Sequence, residues 1–247
     1  MKSKNKKSQI SIFIIIGLII LITTLLIINL TPKKIKITSS TKNNTIKQNL
    51  ENPDYYYVKD RLEKCINNLS EEAILKISNQ GLLNPKEYIS SNKIVIGYLY
   101  YDGKKNIQNE KELSNSIAEY IKRNIESCAK KEYIEIDKDN INVIIVLLKD
   151  EINIKAEFSE KINYKNKKID ITEIYVNKKS NLLNLVKAAN KIINNLDKDE
   201  WLNLNGIDDE KIKVNIIKIS EKTWIYEIIQ INETENNNSL YRFAIKY

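Results

Sequence analysis

The hydrophobic pattern begins with one unbroken block: from Ile10 to Leu30 no charged residue occurs, and Lys2, Lys4, Lys6 and Lys7 stand just before it. About 20 apolar residues are enough to cross the hydrocarbon core of a bilayer as one helix. After Leu30 the apolar residues are spaced rather than massed. Val58, Leu62, Cys65, Leu69, Ala73 and Ile77 recur every three or four positions, which predicts a helix over 55–79 with one apolar stripe, stopped by Gln80-Gly81. Ile94 to Tyr101 reads as a strand, closed by the turn Asp102-Gly103. A second helix is predicted over 110–130, with Leu113, Ile117, Ile121, Ile125 and Cys128 inward. Strands follow at Tyr133–Ile136, Ile141–Leu148, Ile152–Phe158 and Ile169–Val176. Ile152, Ile154, Ala156 and Phe158 alternate with polar residues, as a half-buried strand does. Ile141 to Leu148 is nearly all apolar and is expected at the centre of a sheet. A third helix turns Leu182, Leu185, Ala189, Ile192 and Leu196 inward, before strands at Ile212–Ile219, Trp224–Ile231 and Leu240–Ile245.

These elements predict an α+β fold: a long N-terminal transmembrane helix, then helices packed on antiparallel β-sheet. One helix followed by three strands occurs twice, over 110–176 and 180–247, which suggests two α-βββ modules. The chain divides into a basic flank and apolar helix (1–30), a polar stalk (31–54) and a folded domain (55–247), with sub-modules 55–176 and 180–247. The stalk carries Ser39, Ser40, Thr41, Asn43, Asn44 and Pro53.

Charge orients the apolar helix. The four leading lysines and the amino terminus outweigh Lys33, Lys34 and Lys36 behind it, so the positive-inside rule keeps the amino end cytoplasmic. The domain is then extracellular, held to the cell membrane by a single pass through residues 10–30. A cleaved secretory signal would have a shorter apolar core and a small-residue site. No such site occurs near Asn29, Leu30 or Thr31, which favours an uncleaved anchor.

Composition narrows the function classes. With 42% hydrophobic and 29% charged residues the part beyond the anchor reads as globular. The net charge is +8, yet four of the 40 basic residues lie in the leading flank, leaving 36 against 32 acidic ones. Only three arginines occur, Arg61, Arg123 and Arg242, far apart, which argues against a nucleic-acid partner. There is no histidine. That removes the commonest general base and metal ligand and every Ser-His-Asp or Cys-His nucleophile. No Gly-rich loop follows a strand, so nucleotide binding has no support, and no cofactor is expected.

Cys65 and Cys128 lie on the stripes of two different predicted helices. They are either a disulfide or two buried thiols acting as small hydrophobes. An extracellular location favours the disulfide, which would close a loop of about 60 residues and contribute about 4 kcal/mol. Two cysteines without histidine cannot complete a zinc site.

Other candidate positions have ordinary alternatives. Glu71-Glu72 reads as a solvated helix face. Asp197, Asp199 and Glu200 before Trp201 could do acid/base chemistry if burial distinguished them, but fit a helix-to-strand loop. Asp137-Lys138-Asp139-Asn140 resembles part of a calcium loop but lacks its Gly and distal Glu, so a turn is expected. Tyr55, Tyr56 and Tyr57 cluster at the start of the domain and Tyr98, Tyr100 and Tyr101 near one turn, where contact surfaces and edge packing both favour tyrosine. Asn43, Asn68, Asn232 and Asn237 each begin an N-x-S/T sequon, and Asn232 and Asn237, in a final loop, are the better glycosylation candidates.

Two resemblances add to this reading. Lys6-Lys7-Ser8-Gln9-Ile10-Ser11-Ile12-Phe13 resembles the class III signal peptide of archaeal pilin-like proteins. The resemblance implies cleavage between Ser8 and Gln9, which leaves the apolar helix on the mature chain. Phe13 departs from that family, where many members carry a Glu that helps subunits dock. The pattern Val58…Leu62-Glu63-Lys64-Cys65, Glu71-Glu72-Ala73, Gln80-Gly81 and a helix ending at Cys128, with Tyr241 to Tyr247 as closing strand, is similar to a family of membrane-anchored proteins of small-genome archaea. It implies a surface protein with paired cysteines and no particular activity. Gln80-Gly81-Leu82 departs where that family more often has a second Gly. The expected function is a non-enzymatic surface protein, structural or adhesive, such as a pilin-like subunit that self-assembles. The alternative is a single-pass receptor or binding subunit of an envelope complex with a protein partner there. A carboxylate-dependent membrane-bound hydrolase would need a deep pocket lined by two close acids.

Overall fold

The computed structural model describes residues 52–91, 94–196, 211–231 and 238–247. The basic flank, the apolar segment 10–30, most of the stalk, Ser8, Gln9, Asn43, the acids 197–200, Asn232 and Asn237 all lie outside the described residues. Among the described residues no helix is long and apolar enough to cross a membrane.

Helix α1 (Pro53–Gln80) begins where its sequence permits. Pro53 occupies the first helical position, where a missing N–H costs nothing, and the Asn52 side chain accepts from the Asp54 amide at 3.0 Å. Its predicted stripe is buried, joined by Ile66. The helix stops at Gly81, whose φ of +75° suits glycine and whose amide caps the Ile77 carbonyl. Helix α2 (Glu110–Lys130) opens with a capping box: Asn109 and Glu112 each accept from the other's backbone amide at 2.9 Å. The two helices pack against each other.

Among the described residues the strands form three sheets. In chain order they are β1 (Tyr88–Ser91), β2 (Ile94–Tyr101), β3 (Lys104–Lys105), β4 (Ile134–Glu135), β5 (Ile141–Leu147), β6 (Glu151–Phe158), β7 (Ile162–Tyr164), β8 (Lys167–Ile169), β9 (Glu173–Lys179), β10 (Ile212–Ser220), β11 (Thr223–Gln230) and β12 (Ser239–Lys246). A six-stranded sheet runs β1-β2-β12-β11-β10, with β3 hooked onto β2. β5-β6-β9 and β4-β7-β8 are three-stranded and antiparallel. Helix α3 (Leu182–Asn194) packs on β11 and β12. Helix α1 touches α2, β2 and β12 of the large sheet, and β9 of the middle one, so one helix ties both sheets to a shared core.

The α+β class is present, with helices packed on mixed and antiparallel sheet; α2 is followed by six strands, β4 to β9, and α3, among the described residues, by β10, β11 and β12, so the two stretches are not the same α-βββ succession. Several finer expectations are corrected. The large sheet is mixed, not antiparallel, because β2 runs parallel to β12. Ile141–Leu148 is not central; β5 is an edge strand and β6 lies between its neighbours, leaving Ile144, Val146 and Leu148 exposed. Ile169–Val176 is not one strand, since β8 ends at Ile169 and β9 starts at Glu173. Cys128 flanks the α2 stripe rather than completing it; Ala129 takes the buried position. The third helix ends at Asn194, and Leu196 is buried beyond it. α1 starts at Pro53, inside the expected stalk.

Candidate functional site

The two cysteines are joined. Cys65 lies on α1 and Cys128 in the last turn of α2, with Cα atoms 6.0 Å apart and a sequence separation of 63. No free cysteine remains. Cys65 is buried and Cys128 half-buried, so the bridge sits at the seam where the first half of α1 meets the end of α2.

That seam leads to a tyrosine-rich end of the domain. The Tyr57 hydroxyl donates to Glu132 Oε2 at 3.1 Å, and the Arg61 guanidinium stacks over the Tyr57 ring at 5.1 Å with its Nε 3.6 Å from Glu132. Tyr57 also packs on Tyr164 of β7, ring centroids 5.4 Å apart. The β7–β8 hairpin closes through Lys165 and Asn166, both at positive φ, the geometry of a tight two-residue turn. Lys165 Nζ lies 5.0 Å over the Tyr164 ring, and its hydrogen bond to that tyrosine raises its pKa above the ordinary lysine value. Lys167 pairs with Asp54 at 2.6 Å, joining hairpin to helix. Tyr55 and Tyr57 are half-buried, whereas Tyr56 is 49% exposed. The second tyrosine group packs at the sheet: Tyr98 is buried against Tyr101, and Tyr100 against Tyr247, which meets Trp224 edge-on.

The candidate carboxylates among the described residues serve structure. Glu71 pairs with Lys178 of β9 at 2.8 Å, and Glu72 accepts from the Tyr120 hydroxyl of α2 at 2.9 Å. Asp137 caps a single 3₁₀ turn by accepting from the Asp139 amide and the Asn140 side chain, so this segment is the expected turn. Glu126, Glu135, Asp137 and Glu160 line one cleft of about 340 Å³, but all four are exposed. Among the described residues no group of three or more His, Cys, Asp or Glu could hold a metal ion. Asn68 stands exposed on α1, a helical position.

Two features had no sequence signal. A cleft of about 690 Å³ lies between the loops that follow α1 and precede α2, with Tyr120, Arg123 and Asn124 on its wall. Gln108 at its rim uses its amide on Ser116 and its carbonyl on Asn190, while its own Oε1 is buried without a partner. Three separate segments build this cleft, so no local spacing announces it. The second is a charge ladder on the open face of β6 and β9. Lys155 bonds Glu157 at 2.7 Å and Glu173 at 3.1 Å, with the Tyr175 ring 5.4 Å away. These bonds raise the Lys155 pKa, Glu157 foremost, and lower both carboxyls, chiefly through Lys155.

Comparison with known protein families, curated proteins and solved structures found no match to this chain.

Proposed function

We propose that this chain is a non-enzymatic surface protein, held in the cell membrane through residues 10–30, whose α+β domain stands outside the cell in a structural or adhesive role. The observation that carries the reading is the Cys65–Cys128 bridge. Disulfides persist in oxidising surroundings and are rare where thiols are kept reduced. An uncharged run of 21 residues behind a basic flank supplies the matching address on the sequence side. Cleavage between Ser8 and Gln9 would leave that helix on the chain and fit a pilin-like subunit. The polar cleft beside Tyr120 and Arg123 favours a second reading, a binding subunit of an envelope complex.

The test is intact mass and amino-terminal peptide mapping of the protein from membranes, with and without reduction, together with protease added to whole cells. A mature chain starting at Gln9, Cys65 linked to Cys128, and a domain removed by the external protease are the expected results. Free thiols in a domain that the protease cannot reach would overturn the reading. Chromatography in mild detergent separates the two versions: an assembled filament core supports the subunit, and a monomer supports the lone anchored binder.

A further inference from the structure

We propose that β5 is the contact edge of a symmetric dimer: the same strand of a second copy of this chain pairs with it antiparallel, about a two-fold axis at Ile145. The inference concerns the folded unit from Asn52 to Tyr247 and does not depend on the anchored reading above.

The backbone is the first reason. β5 is an edge strand with β6 on one side, and α2 packs on it where Ile141, Ile145 and Leu147 are buried. Ser159 donates its amide to the Asn140 carbonyl at 3.0 Å, and Leu148 donates its amide to the Glu151 carbonyl at 2.9 Å. Hydrogen-bonded pairs alternate along an antiparallel ladder. The even-numbered residues of β5 therefore bond β6, while Val143, Ile145 and Leu147 turn their N–H and C=O groups off the edge. Among the described residues nothing bonds those groups. With the axis at Ile145, Val143 exchanges both bonds with Leu147 of the second copy, and Ile145 with its own counterpart. Every outward group of these residues is then used.

The side chains are the second. Ile144, Val146 and Leu148 stand in a row on the open face, 41%, 49% and 41% exposed. Natural edge strands carry lysine, proline or a bulge that discourages pairing. β9 has Lys178 and Lys179, and β10 has Lys213, Lys218 and a register break after Lys218. β5 has no such guard. From Asn140 to Leu148 no residue is charged or proline, and the register on β6 is unbroken from Ile141 to Leu147. In the two-fold pair Ile144 lies directly opposite Val146 of the second copy, a placement in which β-branched side chains stabilise each other.

Charge is the third, and it selects the direction. Exposed Glu126, Glu135, Asp137 and Glu160 gather at the Ile141 end of β5, around Asn140. A parallel pair would set two such groups side by side. The antiparallel pair sets each against the Lys149 end of the other copy and keeps the two acidic groups about a strand apart, seven residues or about 23 Å. Because the contact is two-fold, it uses the same edge on both copies and closes at two.

The experiment uses the full chain in mild detergent, followed by sedimentation velocity on wide dilution and by residue-level hydrogen exchange. The expected result is a reversible monomer–dimer equilibrium. The amides of Val143, Ile145 and Leu147 exchange more slowly as the paired fraction rises, with those of Asn142, Ile144 and Val146, already bonded to β6, as reference. Ile144→Glu and Val146→Lys each alter both symmetric contacts and should weaken the dimer roughly tenfold. Both positions are exposed, and an unchanged unfolding midpoint of the diluted monomer shows that each variant folds. Mixing the two variants sets the new carboxylate opposite the new ammonium and should restore most of the lost affinity. A chain that stays monomeric overturns the inference. So does a dimer that neither variant weakens, since it is then held through another surface. Edge amides that stay slow at every dilution overturn it as well, because a segment of the same chain then covers β5. Variants that are weakened but do not recover on mixing overturn the antiparallel pairing at Ile145. None of these outcomes touches the anchored reading, which the mass and protease measurements test separately.

Discussion

Breaking the Cys65–Cys128 bridge tests how far one covalent tie carries the domain. The bridge joins two helices whose cysteines are 63 residues apart, and it is the sole cross-link the chain can make, because only two cysteines occur. A loop of that length, in the chain-entropy model, withholds about 14 cal/mol/K from the unfolded ensemble, or about 4 kcal/mol at 25 °C. The unit from Asn52 to Tyr247 has roughly 200 residues, and at about 2.1 cal/mol/K per residue its unfolding entropy turns that loss into a fall of about 10 °C in Tm. Two perturbations are needed. Reduction leaves both sulfur atoms in place and reads the cross-link alone. The double variant Cys65→Ala, Cys128→Ala adds a cavity at the buried Cys65, which costs about 1 kcal/mol more. The assay is denaturant unfolding followed by circular dichroism, on oxidised, reduced and variant protein. The slope against denaturant should rise on reduction, since the freed unfolded chain exposes more surface. If reduced and oxidised proteins agree within about 1 kcal/mol, the unfolded loop is already restrained and the entropic argument fails for this protein.

Three other perturbations probe the junction between α1 and the large sheet. Gly81→Ala forces a side chain onto a φ of +75° and places its Cβ 3.0 Å from the Arg242 carbonyl oxygen and 3.1 Å from Phe243 Cβ, so the expected loss is about 1–3 kcal/mol in the same unfolding assay. Alkaline pH should destabilise the fold through two buried phenols. Tyr241 donates to the Gly81 carbonyl at 2.7 Å and is fully buried; burial raises its pKa, and burial likewise pushes Tyr226 up to about 12. Unfolded tyrosines titrate near pH 10, so above that the unfolded chain holds fewer protons than the native one. Stability should be level from neutrality to about pH 9 and fall steadily as pH climbs from 10 through 12. Tyr241→Phe should cost about 1–3 kcal/mol at neutral pH, because the Gly81 carbonyl loses its donor, and should flatten part of the alkaline decline.

What the sequence revealed follows from the range over which each signal acts. The stripes of α1 and α2 were legible because a helix repeats its burial every three or four residues, and Gly81 marked its own stop. β6 was legible because one of its faces is buried and the other is wet, giving strict alternation. β5 was misplaced for the opposite reason. Ile144 and Val146 are apolar on the open face, so the strand read as buried on both sides. The β7–β8 hairpin was missed: its strands are three residues each, and lysine occupies its turn and the strand after it. The parallel pairing of β2 with β12 joins Tyr98 to Ala244 across the length of the domain, and no local pattern encodes such a contact. Of the candidate site, the pairing of the cysteines could be read, because both fell near helix stripes. The tyrosine-lysine end could not, since it is assembled from three segments that meet only after α1 and α2 pack.

The placement of α1 bears on how an anchored domain would carry load. Force applied at Asn52 enters the domain through α1, which is packed on α2 and on strands of two sheets at once. Separating it means breaking the shared core around Leu62, Ile66 and Ile77 together with the Cys65–Cys128 bond. A tether joined to an edge strand would instead unzip one ladder of hydrogen bonds at a time. The bridge lies near the middle of α1, so force entering at Asn52 is shared with α2 before it reaches the second half of the helix. Gly81 and the buried Tyr241 hydroxyl then tie the far end of α1 to β12, the second strand in from the β1 edge of the main β1–β10 path of the large sheet.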